Sequence, residues 1–235
     1  MDAERQTILP ESLKNLVLEL LDPVADWLIQ AGLRPNRITT ISVVLLLASG
    51  VGFAIGELRW GAAMLLLSGI LDLLDGKVAR RGGMESRFGA FYDSTIDRLG
   101  DALVFMGIGV HFVVTPGQRW PILGLLLCFG TLTSSFLVSY ARARAEGLGF
   151  EARVGIAQRA ERVVLIGVPV LIWRAGPGGW MLLGILAFLF VTSAVTVVQR
   201  VLHVHHQIHD GAPRAASVPA PRSPAVIPNP VVKGT

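Results

Sequence analysis

Three observations predict an all-α integral membrane protein with six transmembrane helices and an N-terminal amphipathic juxtamembrane helix. The first is composition. Of 235 residues, 52% are apolar and only 16% charged, with a mean hydropathy of +0.57. Soluble domains carry about 25% charge, so an ordinary water-soluble globule and a disordered chain are both excluded. The second is a series of apolar stretches approaching the roughly 20 residues that a bilayer-crossing helix needs. The third is the distribution of Lys and Arg, which is one-sided.

The six expected spans are residues 38–55, 60–79, 88–113, 120–140, 162–173 with flanking turns, and 180–201. Turn-forming residues separate them: Gly56-Glu57 after the first, Thr115-Pro116-Gly117 after the third and Gly176-Pro177-Gly178-Gly179 after the fifth. Helices are the default because backbone polar groups in lipid must pair within their own segment. Of the 21 Lys and Arg residues, only Arg59, Arg119 and Arg174 fall on one side. Cations stay inside, so a multi-pass cell-membrane protein with both termini cytoplasmic is expected. Trp60, Trp120, Trp173 and Trp180 fall at the opposite ends, as an interfacial belt would.

The chain divides into residues 1–33, 34–203 and 204–235. The first part is expected as a cytoplasmic amphipathic helix over residues 10–32. Leu13, Leu16, Val17, Leu20, Leu21, Val24, Trp27 and Leu28 recur at helical spacing, and Pro23 should kink it. Such a helix lies in the membrane interface or packs on the protein's own cytoplasmic face. Early acids and the lack of a short apolar run argue against a cleavable signal. The last part, rich in Pro, Ala, Ser and Val, reads as a disordered cytoplasmic tail. The formal charge of +4 and pI of about 9.8 then point to lipid and not to nucleic acid as the partner.

Chemistry is concentrated in two spans. Five of the nine aspartates (Asp72, Asp75, Asp93, Asp97 and Asp101) fall in the second and third. A charge at a bilayer centre costs about 2.5–3.5 kcal/mol on insertion scales, so several together need cations or a wet cavity. Asp72 and Asp75 are i, i+3; Asp93 and Asp97 are i, i+4, so each pair shares a helix face. A tight turn between the spans brings the faces together. All-oxygen ligation suits Mg2+ or Mn2+, and four carboxylates suit a pair of ions clamping an in-line phosphoryl displacement. Gly76, Ala79 and Gly89 leave bare helix surface beside the acids, while Arg80 and Ser86 offer donors to phosphate. Asp101 lies deeper, and a structural role beside Arg98 is expected. Without further information, Asn36 or Thr39 reads as a cap of the first span.

The stretch Asp72-Leu-Leu-Asp75-Gly76-Lys-Val-Ala79-Arg80, eight residues, then Gly89-Ala-Phe-Tyr-Asp93-Ser-Thr-Ile-Asp97 resembles the signature of the CDP-alcohol phosphotransferases at all eight fixed positions. The resemblance covers about residues 10–203. It implies transfer of a phosphatidyl group from CDP-diacylglycerol to an alcohol, with release of CMP. It also implies two Mg2+ (or Mn2+) ions per site held by Asp72, Asp75, Asp93 and Asp97, with Asp97 as general base. Gly76, Arg80 and Ser86 match positions at the nucleotide end of the donor, beside Ala79 and Gly89. Pro35-Asn36-Arg37-Ile38-Thr39 resembles the family's entry to the first span, so that Asn36 and Thr39 would touch CDP. A homodimer is the family's common state.

Arg142, Arg144, Arg159, Arg162 and Arg200 form a second basic cluster. Its plain reading is membrane anchoring; its functional reading is a pocket for a phosphorylated acceptor, because arginine forks suit phosphate. The run around Ser139–Glu146 and Gly155–Arg162 resembles phosphatidylinositol phosphate synthases. That resemblance implies inositol 1-phosphate as acceptor, with its phosphate on Arg142, Arg162 and Arg200 and with Arg159 beside them. Arg142 stands where that group usually has lysine. The alternative is a phosphatidylglycerophosphate synthase using glycerol 3-phosphate. A reading of another class, a cation transporter, suits the intramembrane acids but not their clustering at one end of two spans. His203, His205, His206 and His209 are expected as an incidental cluster, His111 as interfacial and Cys128 as packing.

Overall fold

The computed structural model describes residues 17–152, 154, 155 and 159–209. Every regular element among them is helical. They are α1 (Asp22–Gln30), α2 (Pro35–Ala54), α3 (Leu58–Arg81), α4 (Arg87–Val114), α5 (Pro121–Gly147), α6 (Arg159–Trp173) and α7 (Trp180–His209), with a short 3-10 turn over Pro177–Gly179. The anticipated breakers end the helices: Gly56 and Gly117 both take positive φ, as do Gly176, Gly178 and Gly179.

Three segments are long and apolar enough to cross a membrane by length and composition: Pro35–Ala54, Pro121–Gly147 and Pro177–His209. The helices α3 and α4 have the length, at 24 and 28 residues, but carry the acids. With 15 residues and Pro169 inside it, α6 is short.

The helix α2 packs on α3 and α4, α5 on α4 and α7, and α6 on α3. One apolar core runs through them, from Leu46 and Phe53 of α2 to Leu65 of α3, Phe105, Ile108 and Phe112 of α4, Ile166 of α6 and Leu186 of α7. Small residues let the backbones approach, the usual solution where lipid removes most of the hydrophobic drive between helices. A Cβ on Gly107 would come within 2.1 Å of the Gly50 carbonyl oxygen, and one on Gly52 within 2.9 Å of the Gly61 nitrogen. Cross-helix hydrogen bonds add to this, such as Ser49 Oγ to the Gly61 carbonyl at 2.8 Å.

The N-terminal segment departs from the expected single kinked helix. Residues 17–20 are helical, Leu21 is a turn, and α1 starts afresh with Pro23 in its first turn, where a missing N–H costs nothing. Residues 1–16 lie outside the described part. Both weighed readings of this segment have support. Ala25 is buried against Ile38, Leu74 and Val78. Asp22 pairs with Lys77 at 2.6 Å and Arg81 at 2.5 Å, and Asp26 with Arg81 at 2.9 Å. Leu20, Val24 and Trp27 stay exposed along another face. Lys77 and Arg81 are therefore tethers for α1. Chiefly through the Lys77 hydrogen bond, they hold the Asp22 carboxyl below its ordinary pKa.

At the other end, α7 continues to His209, so residues 204–209 are helical and not part of a disordered tail. The rings of His205 and His209 meet at a tilt of 47° one turn apart on it, 4.4 Å between centroids. Residues 210–235 lie outside the described part. Cys128 is buried, as expected. His111 is buried inside the protein: its ring nitrogens pair with Thr115 Oγ1 at 2.9 Å and Gln118 Nε2 at 3.1 Å. The four tryptophans of the expected belt, Trp60, Trp120, Trp173 and Trp180, are all exposed.

Candidate active site

The acids meet where α3 ends and α4 begins. The intervening turn is short: Gly83 takes φ +62°, and Ser86 caps α4 by accepting the Gly89 N–H at 2.9 Å. The capping hydroxyl keeps its own proton free for another acceptor. Across this turn, Asp72 and Asp75 face Asp93. One carboxylate oxygen from each of the three lies within 4.8 Å of the other two.

Each acid then has a distinct setting. The Asp75 carboxylate is buried and accepts a hydrogen bond from the Thr39 hydroxyl at 2.5 Å. Thr39 thus belongs to the acid cluster and does not cap α2, whose start at Pro35 has no side-chain cap. With its proton committed, Thr39 offers a lone pair to any further partner. Asp72 and Asp97 share a cation: Arg159 Nη1 lies 2.8 Å from Oδ1 of each. Among the described residues, this ion pair is what reaches Asp97, and no aligned hydrogen-bond donor is directed at its buried Oδ1. A buried carboxylate oxygen met by an ion pair without an aligned donor can take a further donor or cation. Together with the all-oxygen cluster beside it, the donor set fits a hard divalent cation.

Beside the acids lies an open cavity of about 200 Å³. Asn36 and Thr39 line it from α2, Gly76, Ala79 and Arg80 from α3, Ser86 from the turn, and Gly89 from α4, together with Asp75 and Asp93. The sequence-predicted donor-binding residues are thus brought into one place, next to two of the four acids. The glycines have distinct reasons. A Cβ on Gly76 would meet the Arg80 guanidinium at 3.2 Å, so the bare surface is where Arg80 lays its head. A Cβ on Gly89 would stand 3.0 Å from Ser86 Oγ and 3.4 Å from Asn36 Oδ1, crowding both polar groups.

The arginines separate into two sets. Arg159, expected beside the acceptor arginines, lines a small cavity with Arg162 and also reaches the acids Asp72 and Asp97. The other three follow one face of α5. Ser135 Oγ donates to Asp101 Oδ2 at 2.8 Å, and Arg162 Nη2 donates to the same oxygen at 2.7 Å. One turn along, Arg200 reaches the Val138 carbonyl, and its Nε donates to the Val154 carbonyl at 2.8 Å. A further turn along stands Arg142, paired with Glu146 at 2.9 Å. Asp101 is therefore the partner of Arg162 and Ser135, not of Arg98, which turns back to the Ser94 carbonyl. Sequence spacing places Asp101 and Arg98 on one helix but cannot show which neighbour from α6 comes closer. Ser135 was missed altogether, since a lone serine in an apolar span carries no sign of what it faces.

A family model described as CDP-alcohol phosphatidyltransferase matches residues 32–204. The chain belongs to that family. It is an enzyme family of transferases, and this member is a multi-pass membrane protein. An archaetidylinositol phosphate synthase of Methanothermobacter thermautotrophicus is 38% identical, over 83% of this chain and 93% of its own length. A phosphatidylinositol phosphate synthase of Cutibacterium acnes is 35% identical, over 79% of this chain and 92% of its own. Among solved structures, the phosphatidylinositol phosphate synthase of Mycobacterium tuberculosis with CDP-DAG bound superposes with a TM-score of 0.67. That structure is 32% identical and covers 77% of this chain and 92% of its own. The same enzyme has also been solved in complex with manganese and citrate, with a TM-score of 0.68 and 31% identity over 78% of this chain and 88% of its own.

Proposed function

We propose that this enzyme transfers the phosphatidyl group of CDP-diacylglycerol to a hydroxyl of inositol 1-phosphate, giving phosphatidylinositol phosphate and CMP. The observation that carries the reading is the juxtaposition of three parts. These are the aspartates of α3 and α4, the cavity lined by the signature residues, and the row of arginines along α5. Relatives named for an inositol phosphate product support this acceptor over glycerol 3-phosphate.

In this reading Asp72, Asp75, Asp93 and Asp97 hold a pair of divalent ions, Mg2+ or Mn2+, whose charge, when bound, stabilises the phosphoryl oxygens. The chain's own residues do the rest. Asn36, Thr39, Arg80 and Ser86 bind the CDP end in the cavity, where Gly76, Ala79 and Gly89 leave it room. The free Ser86 hydroxyl proton and the Arg80 fork suit phosphate oxygens, and the Thr39 lone pair suits a base N–H. Asp97 accepts the proton of the acceptor hydroxyl. That hydroxyl oxygen bonds to the β-phosphorus, and CMP departs with the electron pair of the broken anhydride. Arg142, Arg162 and Arg200 orient the acceptor through its phosphate.

Six spans are completed by α3, α4 and α6, with the site-bearing helix ends and both termini in the cytoplasm, by the one-sided cations. The acyl chains then stay in lipid while both polar substrates arrive from water. A homodimer is the expected assembly, testable by cross-linking in membranes.

The test is CMP release by the purified chain with Mg2+ and CDP-diacylglycerol, offering inositol 1-phosphate or glycerol 3-phosphate alone. A preference for inositol 1-phosphate is expected. Preference for glycerol 3-phosphate would overturn the acceptor and leave the acid site standing. The archaetidylinositol relative favours a second reading of the donor, an isoprenoid ether lipid. Replacing CDP-diacylglycerol by CDP-archaeol distinguishes it.

A further inference from the structure

We propose that Gln207 is a positioning residue for the acceptor pocket: from the C-terminal end of α7 it clamps the α5–α6 loop, and through that loop it aims Arg200. The proposal rests on the transfer reading above, in which Arg200 binds the acceptor's phosphate. It gives the helical stretch over 204–209 a task. With 30 residues, α7 runs well past the roughly 20 that a bilayer crossing needs.

The loop lies along one stripe of α7. Thr196, Arg200 and Gln207 follow one another at i, i+4 and i+11, so they share a helix face. Each meets a different residue of the loop, in reverse order. Gly155 stands against Thr196: it takes φ +139°, and a Cβ there would come within 2.3 Å of Thr196 Cγ2. The Val154 carbonyl accepts from Arg200 Nε at 2.8 Å. Glu151, at the far end, is held by both of its backbone polar groups. Gln207 Nε2 donates to the Glu151 carbonyl at 2.6 Å, and the Glu151 N–H donates to Gln207 Oε1 at 3.3 Å. A carboxamide has one donor side and one acceptor side, so it satisfies the C=O and N–H of one residue at once. Between these clamps Ala152 is fully buried, which seats the loop on the protein.

Arg200 is the member of the pocket that this loop places. Its guanidinium spans two backbone carbonyls, that of Val138 on α5 and that of Val154 in the loop. The first is fixed by its helix. The second is fixed only as well as the loop is, and Val154 lies three residues from Glu151. Without Gln207 the Glu151 backbone groups turn to water, Val154 shifts, and Arg200 loses one of its two guides. Its fork then meets phosphate in a wider range of orientations, and acceptor binding weakens. Donor binding is untouched, because none of the described residues lining the donor cavity belongs to this loop.

The experiment compares wild type with Gln207→Glu and Gln207→Ala in proteoliposomes containing CDP-diacylglycerol and Mg2+. It reads the Michaelis constants for the donor and for inositol 1-phosphate, and hydrogen exchange of the backbone amides of the α5–α6 loop. Gln207→Glu keeps the shape of the side chain and an oxygen for the Glu151 N–H, but sets a carboxylate against the Glu151 carbonyl. In both variants the loop should therefore exchange severalfold faster. The acceptor constant should rise about three- to tenfold, the loss of about one neutral hydrogen bond. The donor constant and the maximal rate should stay within about twofold. A role in packing alone would leave Gln207→Glu like wild type, and that result would overturn the proposal. Equal rises in both Michaelis constants would also overturn it, as would an acceptor constant unchanged while the loop exchanges faster. If Gln207→Ala fails to fold, the isosteric Gln207→Glu decides. Failure of the transfer reading looks different: wild type then releases no CMP with inositol 1-phosphate, and loop exchange in the two variants still tests the clamp.

Discussion

The acids of α3 and α4 and the arginines of α5, α6 and α7 are two clusters of charge built in opposite ways. The acids stand on short side chains one turn apart on two helices, so the backbone sets their places closely and Thr39 and Arg159 only adjust them. The arginines come from three helices on long side chains, and each is placed by a partner: Asp101 for Arg162, two carbonyls for Arg200, Glu146 for Arg142. The difference suits their proposed tasks. Phosphoryl transfer needs reacting atoms held within fractions of an ångström, whereas recognising a phosphate needs forks that can close on it. Among the described residues, Arg159 is the cation that crosses from the second region into the first.

The comparison can be broken at the acids first. Asp97→Asn should lower transfer at saturating substrate by about a thousandfold or more, since it removes both a ligand and the base. Membrane insertion, checked by fractionation and tryptophan fluorescence, should be unchanged. Activity near wild type would remove Asp97 from its role. The next largest effect is on the frame that holds the acids. Gly107→Ala pushes a methyl to 2.1 Å from the Gly50 carbonyl oxygen, a backbone atom that cannot turn aside. Overpacking of this kind costs about 1–3 kcal/mol, so the melting temperature should fall by several degrees with α2 and α4 forced apart.

The smallest effect concerns α1. Its Asp22 has a folded pKa lowered by Lys77 and Arg81. Such a group lends stability above the unfolded value of about 3.9 and loses it as pH falls through the lower folded value. Docking of α1, followed by a Trp27 fluorescence change, should therefore weaken below about pH 4. Asp22→Asn should remove most of that pH response.

The same contrast bears on what the sequence allowed. Helical period places Asp72 with Asp75 and Asp93 with Asp97, and the short turn after Arg81 brings the two faces together; no tertiary knowledge was needed. The donor cavity was legible because small residues beside acids in an apolar span leave bare backbone that a polar ligand can reach. The place of Arg159 was not legible, because an arginine at a helix start can reach several ångströms in any direction. Only the packing of α6 on α3 aims it at Asp72. The partner of Asp101 was hidden for the same reason. The fresh start at Asp22 was hidden because Pro23 permits both a kink and a first turn. The helical stretch over 204–209 was hidden because its histidines have no apolar period.

The division of labour between the two regions is tested most directly by Arg162→Gln, with Michaelis constants measured separately for CDP-diacylglycerol and inositol 1-phosphate. The acceptor constant should rise about tenfold, the loss of roughly one charge-assisted hydrogen bond, while the donor constant stays within about twofold. Equal increases in both would contradict the account, because the arginines of α5, α6 and α7 would then be supporting the whole site and not reading the acceptor.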